Sequence, residues 1–326
     1  MPVAQYAGRS VDAPGGLTAR IIDKVKLPTL PAVAAALIQL CADPNASIKD
    51  IAKIIEADPA LAVKLLRVAN SSFFGLRHKA TTIERAAITL GINYLKAVAL
   101  AFHLVTCLKG VAAKEFDLKR FWRDSLLRAC LARRLAVVDC PAIREEAFLV
   151  GLLQDIGIPI LAAYFRLPYV RLLNEANGCR LRLYLEENQR FEVNHVQIVK
   201  RLAENWKLPE ILVKPIARHH ARPGATSTED TRTKLWQYAY FVAAVPFGDT
   251  VELEPVDSSL RATARIAFNI DLPELTRLLR DTHQEFEALR SLFEDALPQN
   301  CCIEELLQQA AVLFESMSLE LPRGLD

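Results

Sequence analysis

The sequence predicts an all-α protein, a stack of many helices with a helical extension at its C-terminal end. Three observations predict it. Glycine is sparse, 12 of 326 residues, while Leu and Ala dominate, and a chain rich in strong helix formers favours helices. Capping residues recur immediately ahead of apolar runs with helical spacing. No segment shows the period-two alternation of a half-buried strand. Hydrophobic residues make up 52% and charged residues 24% of the chain, enough to build an ample core and unlike a disordered chain.

The elements follow in order. Residues 1 to about 20, with Gly8, Pro14, Gly15 and Gly16, read as a flexible leader. Pro31 opens an Ala/Leu helix to Cys41, since a first-turn proline gives up no needed N–H. Asp43-Pro44-Asn45 is a turn, and Ser47 with Asp50 forms a capping box for a helix whose apolar face is Ile48, Ile51, Ala52 and Ile55. Asp58-Pro59 starts the next helix as cap and first residue, and Asn70-Ser71-Ser72 ends it. Thr82 caps a short helix that stops at Gly91, and another runs from about Asn93 into Leu108. Asp117 caps a long helix to about Val138, and Ile143 to Asp155 forms a further one that ends at Gly157. Pro159 and Pro168 mark starts, Asn194 caps a helix to about Lys207, and Pro209 opens one that reaches His219-His220. Helix resumes from Lys234 to about Phe247 after a loop, and later helical patches fall at Ser259–Phe268, Pro273–Arg280, His283–Ala296 and Ile303–Met317.

A formal net charge of +2 gives no field of the kind a nucleic-acid surface needs, so no nucleic-acid partner is expected. Seven irregularly spaced cysteines, with no Cys-x-x-Cys pair, read as reduced thiols of a cytoplasmic protein, the adjacent Cys301 and Cys302 included. The longest uninterrupted apolar runs are too short to span a bilayer, so no membrane partner is expected.

Several ordered pieces carry a resemblance. Leu27-Pro28-Thr29-Leu30-Pro31 is followed by Ile54-Ile55-Glu56-Ala57-Asp58-Pro59-Ala60-Leu61, by Leu65-Leu66-Arg67-Val68-Ala69-Asn70-Ser71, by Phe73-Phe74-Gly75-Leu76, and by the segment Ile83 to Gly91. Further on stand Ala147 to Gly157, Asn194-His195, Trp206-Lys207-Leu208-Pro209 and His219-His220 with Pro223. Together these resemble the HDOD family, a relative of the HD phosphohydrolases. The resemblance implies an HDOD domain over 21–247, with an N-terminal helical half at 21–110 and an HD-like half at 111–247. A leader at 1–20 and a C-terminal helical extension at 248–326 flank it.

Catalytic HD enzymes need imidazoles and carboxylates converging on a divalent metal that activates water. In the resemblance, Asp124 stands at the first histidine position, Gln154-Asp155 at the His-Asp pair, and Ala239-Tyr240 at the late Ala-Asp pair. Gln is a weak neutral ligand, so the site is expected to be catalytically broken, with no cofactor and no metal. Asp124, Gln154, Asp155, His195, His219 and His220 would form a vestigial pocket. Asp155 reads most simply as a cap or backbone-amide partner near Gly157, and Gln154 as a neutral bridge between helices. His219 and His220, as helix neighbours, would point about 100° apart, sending at least one toward solvent.

The resemblance therefore implies a non-catalytic regulatory module whose partners are signalling proteins, with self-association and a cyclic dinucleotide as further candidates. Two alternatives stay open. Asp124, Asp155, His195 and His219 or His220 could form a variant metal-dependent phosphohydrolase site, since His195, His219 and His220 stand where the HD-GYP phosphodiesterases carry further metal-binding histidines. The Gly-Tyr-Pro signature, however, is replaced by Ala221-Arg222-Pro223-Gly224. Arg123, Arg128, Arg133 and Arg134 along one helix read either as a solvated face or as an anion site for a nucleotide second messenger. The C-terminal helices, with Leu289, Leu292 and Phe293, are expected either to bury this stripe in their own core or to offer it to a partner.

Overall fold

In the computed structural model, which describes residues 16–25, 31–43, 46–108, 111, 113–223, 230–245, 264–265, 268–290 and 292–293, every regular element among the described residues is helical. The helices of the first half are α1 (Leu17–Val25), α2 (Ala32–Ala42), α3 (Ile48–Glu56), α4 (Pro59–Ala69), α5 (Ile83–Leu90) and α6 (Ile92–Cys107). The second half holds α7 (Leu118–Asp139), α8 (Arg144–Leu153), α9 (Gly157–Phe165), α10 (Leu167–Ala176), α11 (Arg180–Arg190), α12 (His195–Asn205), α13 (Glu210–Ile216) and α14 (Thr231–Ala244), followed by α15 (Leu272–Arg290). The expected leader up to residue 15, Cys301, Cys302 and the patch Ile303–Met317 lie outside the described residues.

The local signals act where they stand in the sequence. Ser47 and Asp50 exchange hydrogen bonds at the start of α3, each N–H donating to the other side chain at 3.2 Å. Asp58 caps α4 with Pro59 in its first turn, Thr82 caps α5, and Asp117 caps α7. Asn194 and Gln197 form a second capping box at the start of α12. Gly91, between α5 and α6, has φ +86°, a conformation that only glycine adopts readily.

The packing centres on α7. It lies along α8, and α14 and α15 pack against it. Helices α2 to α6 form a layer in which α2 sits on α6 and α3 and α4 sit on α5, and α6 joins this layer to α8. One continuous apolar core runs through both layers. Residues 17–20, read from sequence as the end of a leader, are instead the first turn of α1. Thr18, Ile21 and Ile22 bury the inner face of that helix against α9 and α12 in the second half. Pro141–Phe165 contains an 18-residue window with mean hydropathy 1.7, long and apolar enough to cross a bilayer by composition. Of that window 83% is buried within the fold, and the stretch is broken between α8 and α9.

The C-terminal patch expected at 273–280 and residues 283–290 of the one expected at 283–296 are joined in one helix, α15, through residues 281 and 282. The join is buried: Thr282 turns its hydroxyl onto the Leu278 carbonyl, and Glu285 is wholly enclosed. Leu289, Leu292 and Phe293 lie in the core. The arginines of α7 overturn the solvated-face reading. Arg123, Arg128 and Arg133 are buried, because their charges are answered inside the protein. Arg133 donates to Glu145 on α8 at 3.0 Å and to Glu285 on α15 at 3.0 Å, and Arg134 donates to Glu285 at 2.6 Å. Burial works against charge on Arg133, but Glu285, Tyr94 and Glu145 outweigh it and hold its pKa above the ordinary arginine value.

Glu285 is therefore the polar clasp of α15. Replacing it with Ala takes the Glu285 carboxylate from Arg134 and leaves Arg133 with Glu145 alone, and breaking a buried pair costs about 3–5 kcal/mol. Urea unfolding of Glu285→Ala is expected to show a loss of this order, whereas Glu287→Ala on the same helix should leave stability nearly unchanged.

Candidate functional site

Helix α8 ends at Leu153, and Gln154, Asp155 and Ile156 make a tight turn into α9. Gly157 begins α9 rather than ending α8. A Cβ there would stand 2.2 Å from the His195 carbonyl oxygen, so only glycine lets α9 approach the start of α12 this closely. This contact sets Asp155 beside His195, the first residue of α12.

His219 and His220 arrive from the other side. Helix α13 does not reach them, since it contains Pro215 and ends at Ile216. The chain then turns, and the His219 ring folds back so that Nδ1 lies 2.7 Å from the Ile216 carbonyl oxygen. Trp236 of α14 clasps this turn, donating from Nε1 to the carbonyls of Arg218 and Ala221 at 2.9 and 3.0 Å. Outside a helix the expected divergence of neighbouring side chains does not apply, and both imidazoles point inward. His195 Nε2 lies 3.2 Å from His219 Nε2 and 3.0 Å from His220 Nε2. Asp155 Oδ1 is 3.4 Å from His219 Nε2 and 3.7 Å from His195 Nε2. One ligand atom from each of Asp155, His195, His219 and His220 falls within a cluster 4.8 Å across, a donor set able to hold a metal ion.

A shell of partners orients this cluster. Glu187 of α11 accepts from the His195 backbone N–H at 2.9 Å and stands 2.6 Å from His195 Nδ1, and the Tyr169 hydroxyl of α10 donates to its other oxygen. The Tyr184 ring lies over His220 with centroids 5.1 Å apart. Arg180 and Arg128 approach the outer oxygen of Asp155, Oδ2, at 3.5 and 3.7 Å. Burial would raise the Asp155 pKa, but the His219 contact and the two guanidinium groups outweigh it and hold the carboxyl well below its usual range. Burial, with His219 and His195 alongside, pushes His220 well below an ordinary histidine. Burial and the nearby Arg180 push Arg128 down to about 10, against the pull of Asp155 and Asp124.

The six residues expected in the pocket are all buried, but they do not act alike. Asp155 and the three histidines converge. Asp124 is bound by its neighbour Arg123, at 2.9 Å from Nε and 2.8 Å from Nη2, and is not one of the four. Gln154 is fully buried, yet neither atom of its amide has a hydrogen-bond partner among the described residues, so it is not the expected bridge. Asp155 makes no backbone-amide cap; it faces imidazoles and guanidinium groups instead. The four arginines do not gather at one anion site either. Arg123 pairs with Asp124, and Arg133 and Arg134 pair with Glu285. Arg128 faces Asp155 and donates to the Val242 and Val245 carbonyls. Glu187, Tyr169, Arg180 and Tyr184 were not singled out from sequence. They belong to α10 and α11, and α11 reads locally as a charged, solvated helix.

An all-helical fold with histidines and an aspartate gathered at the α8–α9 junction defines an HD-like helical domain. The HDOD domain model matches residues 27–222, more than half of the chain, and the chain belongs to the HDOD family. Among solved structures, an HDOD domain protein of unknown function from Geobacter sulfurreducens superposes with a TM-score of 0.63 at 18% identity, covering 94% of this chain and 98% of that one. A protein from Shewanella amazonensis SB2B that carries a provisional phosphohydrolase designation superposes with a TM-score of 0.63 at 25% identity, covering 84% of this chain and 98% of that one. An uncharacterised protein from Treponema pallidum (strain Nichols) is 24% identical over 271 residues, 82% of this chain. The chain spans about half the length of that curated relative, 52%.

The close approach at Gly157 gives a direct check on this geometry. Gly157→Ala forces α9 away from His195, and such overpacking costs about 1–3 kcal/mol. Thermal unfolding is expected to show the loss, and the His195 ring resonances should shift. The overlap is with backbone, so no side-chain rearrangement relieves it.

Proposed function

We propose that this chain is a non-catalytic signal-transduction module that acts through contacts with other signalling proteins. One observation carries this reading. Asp155, His195, His219 and His220 expose only 1%, 0%, 0% and 7% of their surfaces, so the groups that would perform hydrolysis are walled in. A phosphohydrolase metal needs an open coordination position and room for a phosphate beside it. Here Arg128 and Arg180 occupy the outer side of Asp155, and Tyr184 covers His220. Gln154 supplies no imidazole. Membership of the HDOD family, and a similar fold in a Marinobacter aquaeolei VT8 protein provisionally designated a signal transduction protein, fit the reading.

The second reading, a metal-dependent phosphohydrolase, is favoured by the convergence of the histidines and by the designation of the Shewanella protein. The cyclic-dinucleotide reading loses its main support, because Arg123, Arg128, Arg133 and Arg134 each already face a protein carboxylate.

Turnover separates the two readings. With Mn²⁺, Mg²⁺ or Zn²⁺ supplied, hydrolysis of bis-p-nitrophenyl phosphate and of cyclic di-GMP is expected to be no faster for the wild type than for Asp155→Asn. Turnover by the wild type that is lost in Asp155→Asn would establish the enzyme and end the non-catalytic reading.

A further inference from the structure

The polar interior of this pocket is arranged in a way that protein contacts alone do not require. His195 Nδ1 faces the Glu187 carboxylate at 2.6 Å, and His219 Nδ1 faces the Ile216 carbonyl at 2.7 Å. A carbonyl has no proton to give. Glu187 already accepts from the His195 N–H and the Tyr169 hydroxyl, so it too acts as an acceptor. Each ring must therefore donate its Nδ1–H outward. In the neutral form, the Nε2 atom of each then carries a bare lone pair. These two lone pairs face each other across 3.2 Å, with His220 Nε2 3.0 Å from His195 Nε2 and Asp155 Oδ1 alongside. Acceptors set face to face in a buried place repel unless a cation lies between them. Asp155 Oδ1 is sealed from solvent and faces His219 Nε2 at 3.4 Å and His195 Nε2 at 3.7 Å, with no well-formed hydrogen bond to either.

We infer that Asp155, His195, His219 and His220 form a closed, four-ligand site for a single divalent transition-metal ion of the zinc class. The spacing fits. A tetrahedral centre with metal–nitrogen bonds of about 2.05 Å has edges of about 3.3 Å. Four of the six donor separations are 3.0 and 3.2 Å between imidazoles and 3.4 and 3.7 Å to the carboxylate, and all six lie within 4.8 Å. The outer partners fit as well. Metal-bound histidines characteristically donate their second N–H to a carboxylate or a carbonyl, as Glu187 and Ile216 provide. The donor set selects the ion: three imidazoles and one carboxylate suit zinc, cobalt or nickel, whereas magnesium and calcium prefer oxygen. Arg128 and Arg180 oppose any cation electrostatically, and they do so from the Oδ2 side, leaving Oδ1 to the pocket. With four protein ligands there is no open position, so the ion would tie together the α8–α9 turn, α12 and the turn after α13. This inference does not rest on the proposed signalling role.

The test is elemental analysis of full-length protein purified without chelator and without a metal-affinity step, followed by dialysis against Zn²⁺, Co²⁺ or Mg²⁺. About one zinc or cobalt per chain is expected, with no retained magnesium, as a closed nitrogen-rich site predicts. The cobalt form should show the intense visible bands of a four-coordinate ion. Zinc should raise Tm in step with the logarithm of its free concentration. His219→Gln should abolish uptake, and Glu187→Gln should weaken it about 10–100-fold. If these variants fail to fold, the wild-type stoichiometry and the cobalt spectrum decide alone. Wild-type protein that takes up neither ion, holding the cluster together with a shared proton instead, overturns the site and leaves the signalling role standing. Metal retained undiminished by folded His219→Gln places the ion elsewhere and also overturns it. One bound ion together with phosphoesterase turnover that is lost in His219→Gln overturns the closed, four-ligand character of the site as well as the non-catalytic role.

Discussion

The architecture depends on burying the arginines of one helix. Helix α7 turns Arg123, Arg128 and Arg133 into the interior, and an unpaired charge there would cost several kcal/mol. Each must meet an acceptor, and each acceptor comes from a different element. Arg123 uses Asp124 on its own helix. Arg128 uses the end of α14, through the Val242 and Val245 carbonyls, and Asp155 at the α8–α9 turn. Arg133 uses Glu145 of α8 and Glu285 of α15. Apolar packing would tolerate several ways of stacking these helices, but the charge pairs tolerate few. They fix which face of α8 meets α7 and where α15 lies along it.

The same constraint builds the pocket. Asp155 stays ionised in a sealed place because guanidinium groups face one of its oxygens and imidazoles the other. The imidazoles are held in turn by α11 through Glu187 and by the Ile216 carbonyl at the end of α13. Helix α11, with its run of charged residues, thus carries two of the groups that define the interior, Arg180 and Glu187, on a helix whose sequence looks made for solvent. The pocket is assembled from polar groups that have no other means of satisfaction, and for that reason its geometry is specific.

Much of the fold is legible in the sequence because capping is local. Ser47, Asp58, Thr82, Asp117 and Asn194 each bond an amide three residues onward, and the helices begin where these residues stand. Asp155, His195, His219 and His220 could also be picked out, through the ordered pieces that resemble the HDOD family. Their roles were not legible. The partner of Arg133 on α15 lies 152 residues away, so nothing near Arg133 reveals that its charge is buried. His219 and His220 converge only because α13 stops at Ile216; the helical pattern extends past that point in the sequence, and the Trp236 bonds that hold the turn come from another helix. Glu187 stands beside Glu186 in the sequence, and only its burial against His195 marks it out as the histidine partner.

A closed pocket and a signalling role are compatible on energetic grounds. A ligand shifts a conformational equilibrium only through a difference in its contacts between two states. A catalytic site spends its geometry on a substrate that enters and leaves, so it must stay accessible. A sealed cluster shared by the α8–α9 turn, α11, α12 and the turn after α13 has the opposite property: anything that alters the contacts within it alters how four segments sit on one another. The outer faces of α11 and α13 are solvent-facing, as the exposed Glu210 and Lys214 pair on α13 illustrates. Under the proposed role, a change at the buried donors would be passed to these exposed faces without any substrate having to enter.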